Sequence, residues 1–281
     1  MKYNYQEQVL PNIAIADQFI KTAFFEMAPL YKENFPEGED VTVPLFTTLH
    51  STSESILFLL ENGAIFESDI LLRTVMEGTI KYCYLMSGDR ENRYQKYLEY
   101  KCELTEIDDL LDHRKALDAI SILKEFSNNN TKPFEVSVLS DDRVAYLESK
   151  YSRKKRNDLK QRWSYGSLLR EMTKVNKEYE AILGTMSTYS LTSHFCHFDW
   201  TGVSMRKEQL TLAAKDNNML DIAHALRILS NVLSFYLYRI AEYMHGNSYS
   251  TPGLLKLYTD ICSYIEKINE QQNQILERHI D

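Results

Sequence analysis

Four polar side chains fall at helical spacing in segments otherwise suited to a hydrophobic interior. Arg73 and Glu77 lie four residues apart in ESDILLRTVMEGTIKYCYLM, residues 67–86, and Ser193 and His197 lie four apart in YSLTSHFCHFDW, residues 189–200. Residues four apart share a helix face, so each pair presents its two functional groups side by side. A guanidinium holds phosphate through a planar fork, and a neighbouring carboxylate can orient it. An imidazole moves protons near neutral pH, and a serine hydroxyl can hold a substrate or, once activated by a base, attack it. If the two faces meet, they make a site. The alternative is a solvent-facing ladder of ion pairs through Asp69, Arg73, Glu77 and Lys81, with Ser193 and His197 as satisfied interior side chains. Against the ladder, Leu72, Val75, Met76, Ile80, Cys83 and Leu85 cover most of the first helix's circumference, as in a helix packed on several sides.

The elements that must position these residues are helical. Only 9 Gly and 6 Pro punctuate 281 residues, which leaves few turn signals and disfavours sandwiches and barrels. A first helix is expected from Pro11 to about Asn34, ended by PEGED at 36–40. Helices from about Pro44 to Glu61 and Ile65 to Met86 flank Asn62-Gly63 and form a helical hairpin. Asp89 can cap a long charged helix running toward Phe126, with a break near His113. Asn128-Asn129-Asn130 and Pro133 mark a linker. Beyond it, Ser140 opens another helix, a shorter one holds Trp163 to Val175, and helical periodicity runs from Lys177 through His197 and from Leu210 to His245, where Gly246 offers a C-cap. After Pro252 the positions Leu254, Tyr258, Ile261, Ile265, Ile268, Gln272, Ile275 and His279 alternate spacings of four and three, a coiled-coil seam that would serve either the chain's own core or a homodimer. The expected fold is an all-α multi-helix bundle with long antiparallel helices and a long C-terminal helix. Residues 1–127 would carry the Arg/Glu helix and 134–281 the Ser/His helix, together forming one globular unit.

Bulk properties narrow the function. The start MKYNYQEQVLPN lacks the blocks of a signal peptide, and no apolar run approaches the roughly 20 residues that span a bilayer, so a cytoplasmic protein without membrane contact is expected. Cys83, Cys102, Cys196 and Cys262 are scattered, without zinc or redox spacing, and read as reduced thiols. A net charge of −8 argues against broad nucleic-acid binding. A local basic stretch remains: Arg153, Lys154, Lys155, Arg156, Lys160 and Arg162, preceded by Lys150 and opposed within the stretch only by Asp158. It could contact phosphates, although such runs are more often solvated surface.

The runs LLENGAIFESDILLRTVMEGTIKYCYL, RWSYGSLLREM and YSLTSHFCH resemble the bacterial all-helical family known as domain of unknown function 5677, over about residues 44–200. The family's pattern of an Arg and Glu on one helix, a Ser and His on a later one and a Trp between falls on Arg73, Glu77, Ser193, His197 and Trp163. The resemblance implies a helical fold and that these positions belong together, and it brings no substrate. Two further spacings carry less. Arg239 and His245 match the Arg-x5-His spacing of one class of helical ribonucleases, but such a spacing arises readily by chance. Glu242-x-x-His245 is half of a di-iron carboxylate pattern whose other half is missing. No metal or cofactor is expected.

These readings converge on two expectations. The first is a metal-independent ribonuclease of toxin or phage-defence type, with His197 as acid or base, Arg73 stabilising phosphate charge, Glu77 orienting Arg73, Ser193 holding substrate or His197, and the basic stretch guiding RNA. The second is a noncatalytic helical module that binds a protein partner and assembles through its last helix.

Overall fold

A computed structural model of the chain describes residues 4–28, 41–126, 130–211, 214–247 and 250–280. All regular structure among them is helical: α1 Tyr5–Met27, α2 Thr42–Glu61, α3 Ile65–Met86, α4 Arg90–Tyr97, α5 Leu104–Lys124, α6 Lys132–Glu135, α7 Asp141–Lys150, α8 Arg153–Arg162, α9 Tyr165–Val175, α10 Glu180–Leu183, α11 Met186–His197, α12 Trp200–Thr211, α13 Ala214–Asn247 and α14 Pro252–Ile280. The all-α reading and the long C-terminal helix are therefore correct.

Local chemistry sets several boundaries. Gly63 turns α2 into α3 with φ 73°, a left-handed conformation that costs little without a Cβ. Asp89 accepts from the Asn92 amide at 2.9 Å to open α4, and Ser140 accepts from the Arg143 amide to open α7. Other boundaries differ from the sequence expectation. Pro11 lies inside α1, which begins six residues earlier under the side-chain cap of Asn4. The expected break at His113 is absent: α5 continues past it, and the His113 Nδ1 accepts the Leu139 amide at 3.0 Å. The interruption falls instead at Leu98–Glu103, a π-helical segment. The expected single helix from Lys177 to His197 is divided by a turn at Gly184-Thr185, and Gly246 continues α13 rather than capping it. The PEGED break, Asn128 and Asn129, and the side chain of His279 lie outside the described residues.

The chain divides into two compact units, one of Met1–Gly88 with Leu169–Asp281 and one of Asp89–Leu168. The division thus does not follow the 1–127 and 134–281 parts expected from the linker. Turn residues mark where a helix stops, whereas a unit is set by which apolar faces bury one another. In the first unit, α13 is the central element: it packs on α14, α3 and α1, and α3 packs on α2 and α11. Ile222, Leu226, Leu229, Leu233, Tyr236, Ile240 and Tyr243 are all buried along α13. The expected α14 seam is used within this unit in part: Leu254, Ile261, Ile268 and Ile275 are buried, whereas Tyr258, Ile265 and Gln272 are half-buried and Leu257 and Tyr264 are buried instead, Tyr264 donating to Asn12 Oδ1 of α1 at 2.5 Å. In the second unit, α5 packs on the π-helical segment, α6, α7 and α8, and Glu106 accepts from Arg143, Lys150 and Tyr151 at 3.1, 2.7 and 2.6 Å.

Candidate functional site

Helix α3 presents a stripe made by Phe66, Asp69, Arg73 and Glu77, flanked by α11 and by α13. On the α11 side, Arg73 Nε donates to Glu77 Oε1 at 3.1 Å. Tyr189 completes a closed triangle, accepting from Arg73 Nη2 at 3.0 Å and donating to Glu77 Oε1 at 2.7 Å. The guanidinium also lies 4.6 Å from the centre of the Tyr189 ring. Partial burial works against the Arg73 charge, but the carboxylate and the phenol oxygen more than offset it and hold the guanidinium pKa above its usual value. Burial and the hydrogen bond to Glu77 push the Tyr189 hydroxyl up, so the phenol stays neutral. Two of the three guanidinium nitrogens are thereby fixed, while Nη1 is buried and has no acceptor among the described residues.

The two faces singled out from sequence do meet, through Tyr189 rather than through Ser193 or His197. Ser193 lies one turn beyond Tyr189 and is half-buried, and His197 lies two turns beyond and is exposed. Neither side chain makes a hydrogen bond or ion pair among the described residues. Two turns of helix separate positions by roughly 11 Å along its axis, so His197 and Arg73 do not flank one phosphate. Of the other α3 positions, Lys81 forms no ion pair among the described residues, and Asp69 turns away from Arg73 toward α13. The expected ladder is thus reduced to its Arg73–Glu77 rung.

The far end of α11 is a tight corner. Phe198 takes a left-handed φ of 50°, Asp199 accepts from the Gly202 amide at 3.2 Å, and His194 Nδ1 meets Asp199 Oδ2 at 2.5 Å. A Cβ at Gly202 would lie 2.6 Å from the His194 carbonyl oxygen, a backbone atom that cannot swing aside. Gly202→Ala is therefore expected to destabilise the protein by about 1–3 kcal/mol, read as a lower denaturation midpoint. A variant with the native midpoint would show that α11 and α12 do not approach so closely.

On the α13 side of the stripe lies a group that the sequence reading missed. Asp69 is fully buried, and both its oxygens accept from Arg227 Nη2 at 2.8 Å. His224 Nε2 meets Asp69 Oδ2 at 2.5 Å. Burial alone would raise the Asp69 pKa, but the bond to His224 and the charge of Arg227 hold it below the usual carboxylate value. Phe66, one turn earlier on α3, packs edge-on against both Phe195 of α11 and His224 of α13, at 5.0 and 5.7 Å between ring centres. A signal existed in the sequence: His224 and Arg227 stand three apart in IAHALRILSNVL, a stretch too apolar to need either of them.

The remaining sequence candidates are placed elsewhere. Trp163 belongs to the other unit, where its indole donates to Glu99 Oε2 at 3.0 Å. The basic stretch is largely matched inside that unit. Lys155 lies 3.9 Å from Glu103, Lys160 2.6 Å from Asp108 and Arg162 2.5 Å from Glu99, while Arg156 donates to the Tyr151 carbonyl at 3.0 Å. Arg153 and Lys154 alone of the six are exposed without such a partner among the described residues. The acids that answer the stretch come from the π-helical segment and α5, some fifty residues earlier, which is why Asp158 had seemed its sole opposing charge. Arg239 is fully buried beneath the Tyr236 ring at 4.1 Å, whereas His245 is exposed, so the Arg-x5-His spacing makes no joint site. Glu242 is buried and accepts from the Tyr179 hydroxyl at 2.5 Å. Among the described residues no group of three or more His, Cys, Asp or Glu side chains is placed to hold a metal ion. No helix among them is long and apolar enough to cross a membrane.

The profile of a family of unknown function, DUF5677, matches residues 39–209, more than half of the chain, and the protein belongs to that family. No curated protein and no solved structure matches it significantly. The match takes in Arg73, Glu77, Tyr189, Ser193 and His197 and stops before His224 and Arg227.

Proposed function

We propose that this family member binds a phosphate-bearing ligand at Arg73 and acts as a metal-independent ribonuclease. The observation that carries this reading is the guanidinium itself, fixed on one edge by Glu77 and Tyr189 while its Nη1 has no acceptor. A buried donor without a partner costs about 1–3 kcal/mol, a cost that a bound oxyanion relieves. Glu77 and Tyr189 pre-set the fork, so little order is lost when phosphate docks. In this reading Ser193, one turn along α11, holds the sugar or a neighbouring phosphate, and His197 meets the chain further along.

The test is cleavage of single-stranded and structured RNA in the presence of a metal chelator. Arg73→Lys retains the charge and loses the fork, and it is expected to lower cleavage by about 100-fold or more while the melting temperature stays near native. Absence of cleavage of any RNA by the native protein, with or without chelator, would overturn the ribonuclease and favour a noncatalytic module that binds a protein partner. Native-rate cleavage by folded Arg73→Lys would remove Arg73 from the chemistry.

A further inference from the structure

We infer that Asp69, His224 and Arg227 form an acid–base centre beside Arg73, in which Nδ1 of His224 transfers the proton during attack on an oxyanion ester. This rests on the reading of Arg73 as a phosphate site and supplies the proton-handling group which that site otherwise lacks.

The geometry determines which ring nitrogen acts. The Asp69 carboxylate is fully buried and doubly held by Arg227, so it can neither rotate nor exchange its partner for water. An ionised carboxylate only accepts, so the 2.5 Å contact requires His224 Nε2 to carry the hydrogen. The neutral ring then has its lone pair on Nδ1, which makes no hydrogen bond among the described residues. The imidazole retains 21% of its side-chain exposure, enough for a substrate to reach it. A carboxylate that fixes the tautomer of a histidine and stabilises its protonated form is the arrangement by which proteins make an effective base from imidazole. Burying Asp69 purely for packing would be costly, and an apolar side chain would fill the site at less cost.

The placement matches the chemistry. Asp69 and Arg73 are one turn apart on α3, with about 5–6 Å expected between their Cβ atoms, so the residues that hold the histidine and the Arg73 fork occupy neighbouring turns of one helix. Arg227 repeats the feature seen at Arg73, since its Nη1 is also buried without an acceptor. Two guanidinium groups with unpartnered donors, Arg227 on Asp69 and Arg73 one turn along α3, thus belong to the stripe that holds the imidazole, and the ligand class they fit is a phosphodiester. With RNA, Nδ1 takes the proton of the 2′-hydroxyl as the bond from that oxygen to phosphorus forms. The bond from phosphorus to the 5′-oxygen breaks, that oxygen takes a proton from water, and the imidazolium returns its proton to the hydroxide produced. His224 thereby replaces His197, which lies two turns of α11 away from Tyr189, as the proton-transferring residue.

The variant that separates this role from packing is His224→Gln. The glutamine amide can still donate to Asp69 from the position of Nε2, but it has no basic atom in place of Nδ1. Cleavage of RNA is expected to fall about 100-fold or more with the melting temperature close to native. His224→Gln protein that cleaves at the native rate would overturn the proposal. A second measurement needs neither the variant nor cleavage: proton–nitrogen correlation spectra of the native protein report the His224 tautomer and its response to inorganic phosphate. The expected result is hydrogen on Nε2 and a saturable shift of the Nδ1 signal that is lost in Arg73→Gln. Hydrogen on Nδ1, or a ring indifferent to millimolar phosphate, would overturn the proposal even if RNA is cleaved. If the native protein cleaves no RNA, the ribonuclease reading fails by itself, and the ring's response to phosphate still decides whether this centre receives an oxyanion.

Discussion

Asp69→Asn is expected to destabilise the protein by about 3 kcal/mol near neutral pH, the lower end of the cost of breaking a buried ion pair. The carboxylate is fully buried and serves both Arg227 and His224, so an amide in its place leaves the guanidinium without a counter-charge. The cost stays at the lower end because Arg227 and His224 keep 24% and 21% of their side-chain exposure and water compensates in part. The sign of the pH dependence follows from the depressed pKa. Below its unfolded value near 3.8 the unfolded chain binds a proton that the folded carboxylate resists. The stabilisation is therefore complete above that value and is lost as pH falls through the lower folded pKa. Denaturant midpoints of the native protein and the variant should differ in full at about pH 7 and draw together as pH falls below about 4. An undiminished gap in strong acid would mean that Asp69 is not ionised in the folded state.

Ile261→Ala should cost about 2–4 kcal/mol, since Ile261 is fully buried in the α14 seam and the cavity left behind would be lined by helices that cannot fully collapse. The cost should be independent of protein concentration, because α14 packs on α13 and α1 of the same chain. A heptad pattern alone left the chain's own core and a homodimer as equal users of this seam. A melting temperature of the native protein that rises with its concentration, and does so less in Ile261→Ala, would instead make the seam an interface between copies.

The polar cluster was legible only in part, for a reason specific to each residue. Arg73 and Glu77 could be paired from sequence because an i, i+4 contact depends on the helix alone. That Tyr189 closes the pair depends on the rotation of α11 against α3, and periodicity cannot distinguish Tyr189 from Ser193 or His197 when all three share a face. Asp69 reads from sequence as a candidate rung of the alternative ladder, because its real partners come from a helix about 155 residues later. The basic stretch was misread for the same kind of reason: its like charges are adjacent in sequence, and the acids that neutralise them are adjacent only in space.

The sequence by itself determined that this protein is helical, where α3 begins and ends, that Asp89 and Ser140 cap helices, and which residues of α14 are apolar on one face. These are properties of local spacing, fixed by backbone geometry and by side chains within a few positions of each other. Only the tertiary structure decided that α13 is the centre of its unit, that α14 packs Leu254, Ile261, Ile268 and Ile275 into the chain's own core, and that Asp69 belongs to His224 and Arg227 rather than to Arg73. Those outcomes depend on which amphipathic helices find one another and at what rotation, and the free energy that selects among such pairings is spread over whole buried faces rather than carried by any motif.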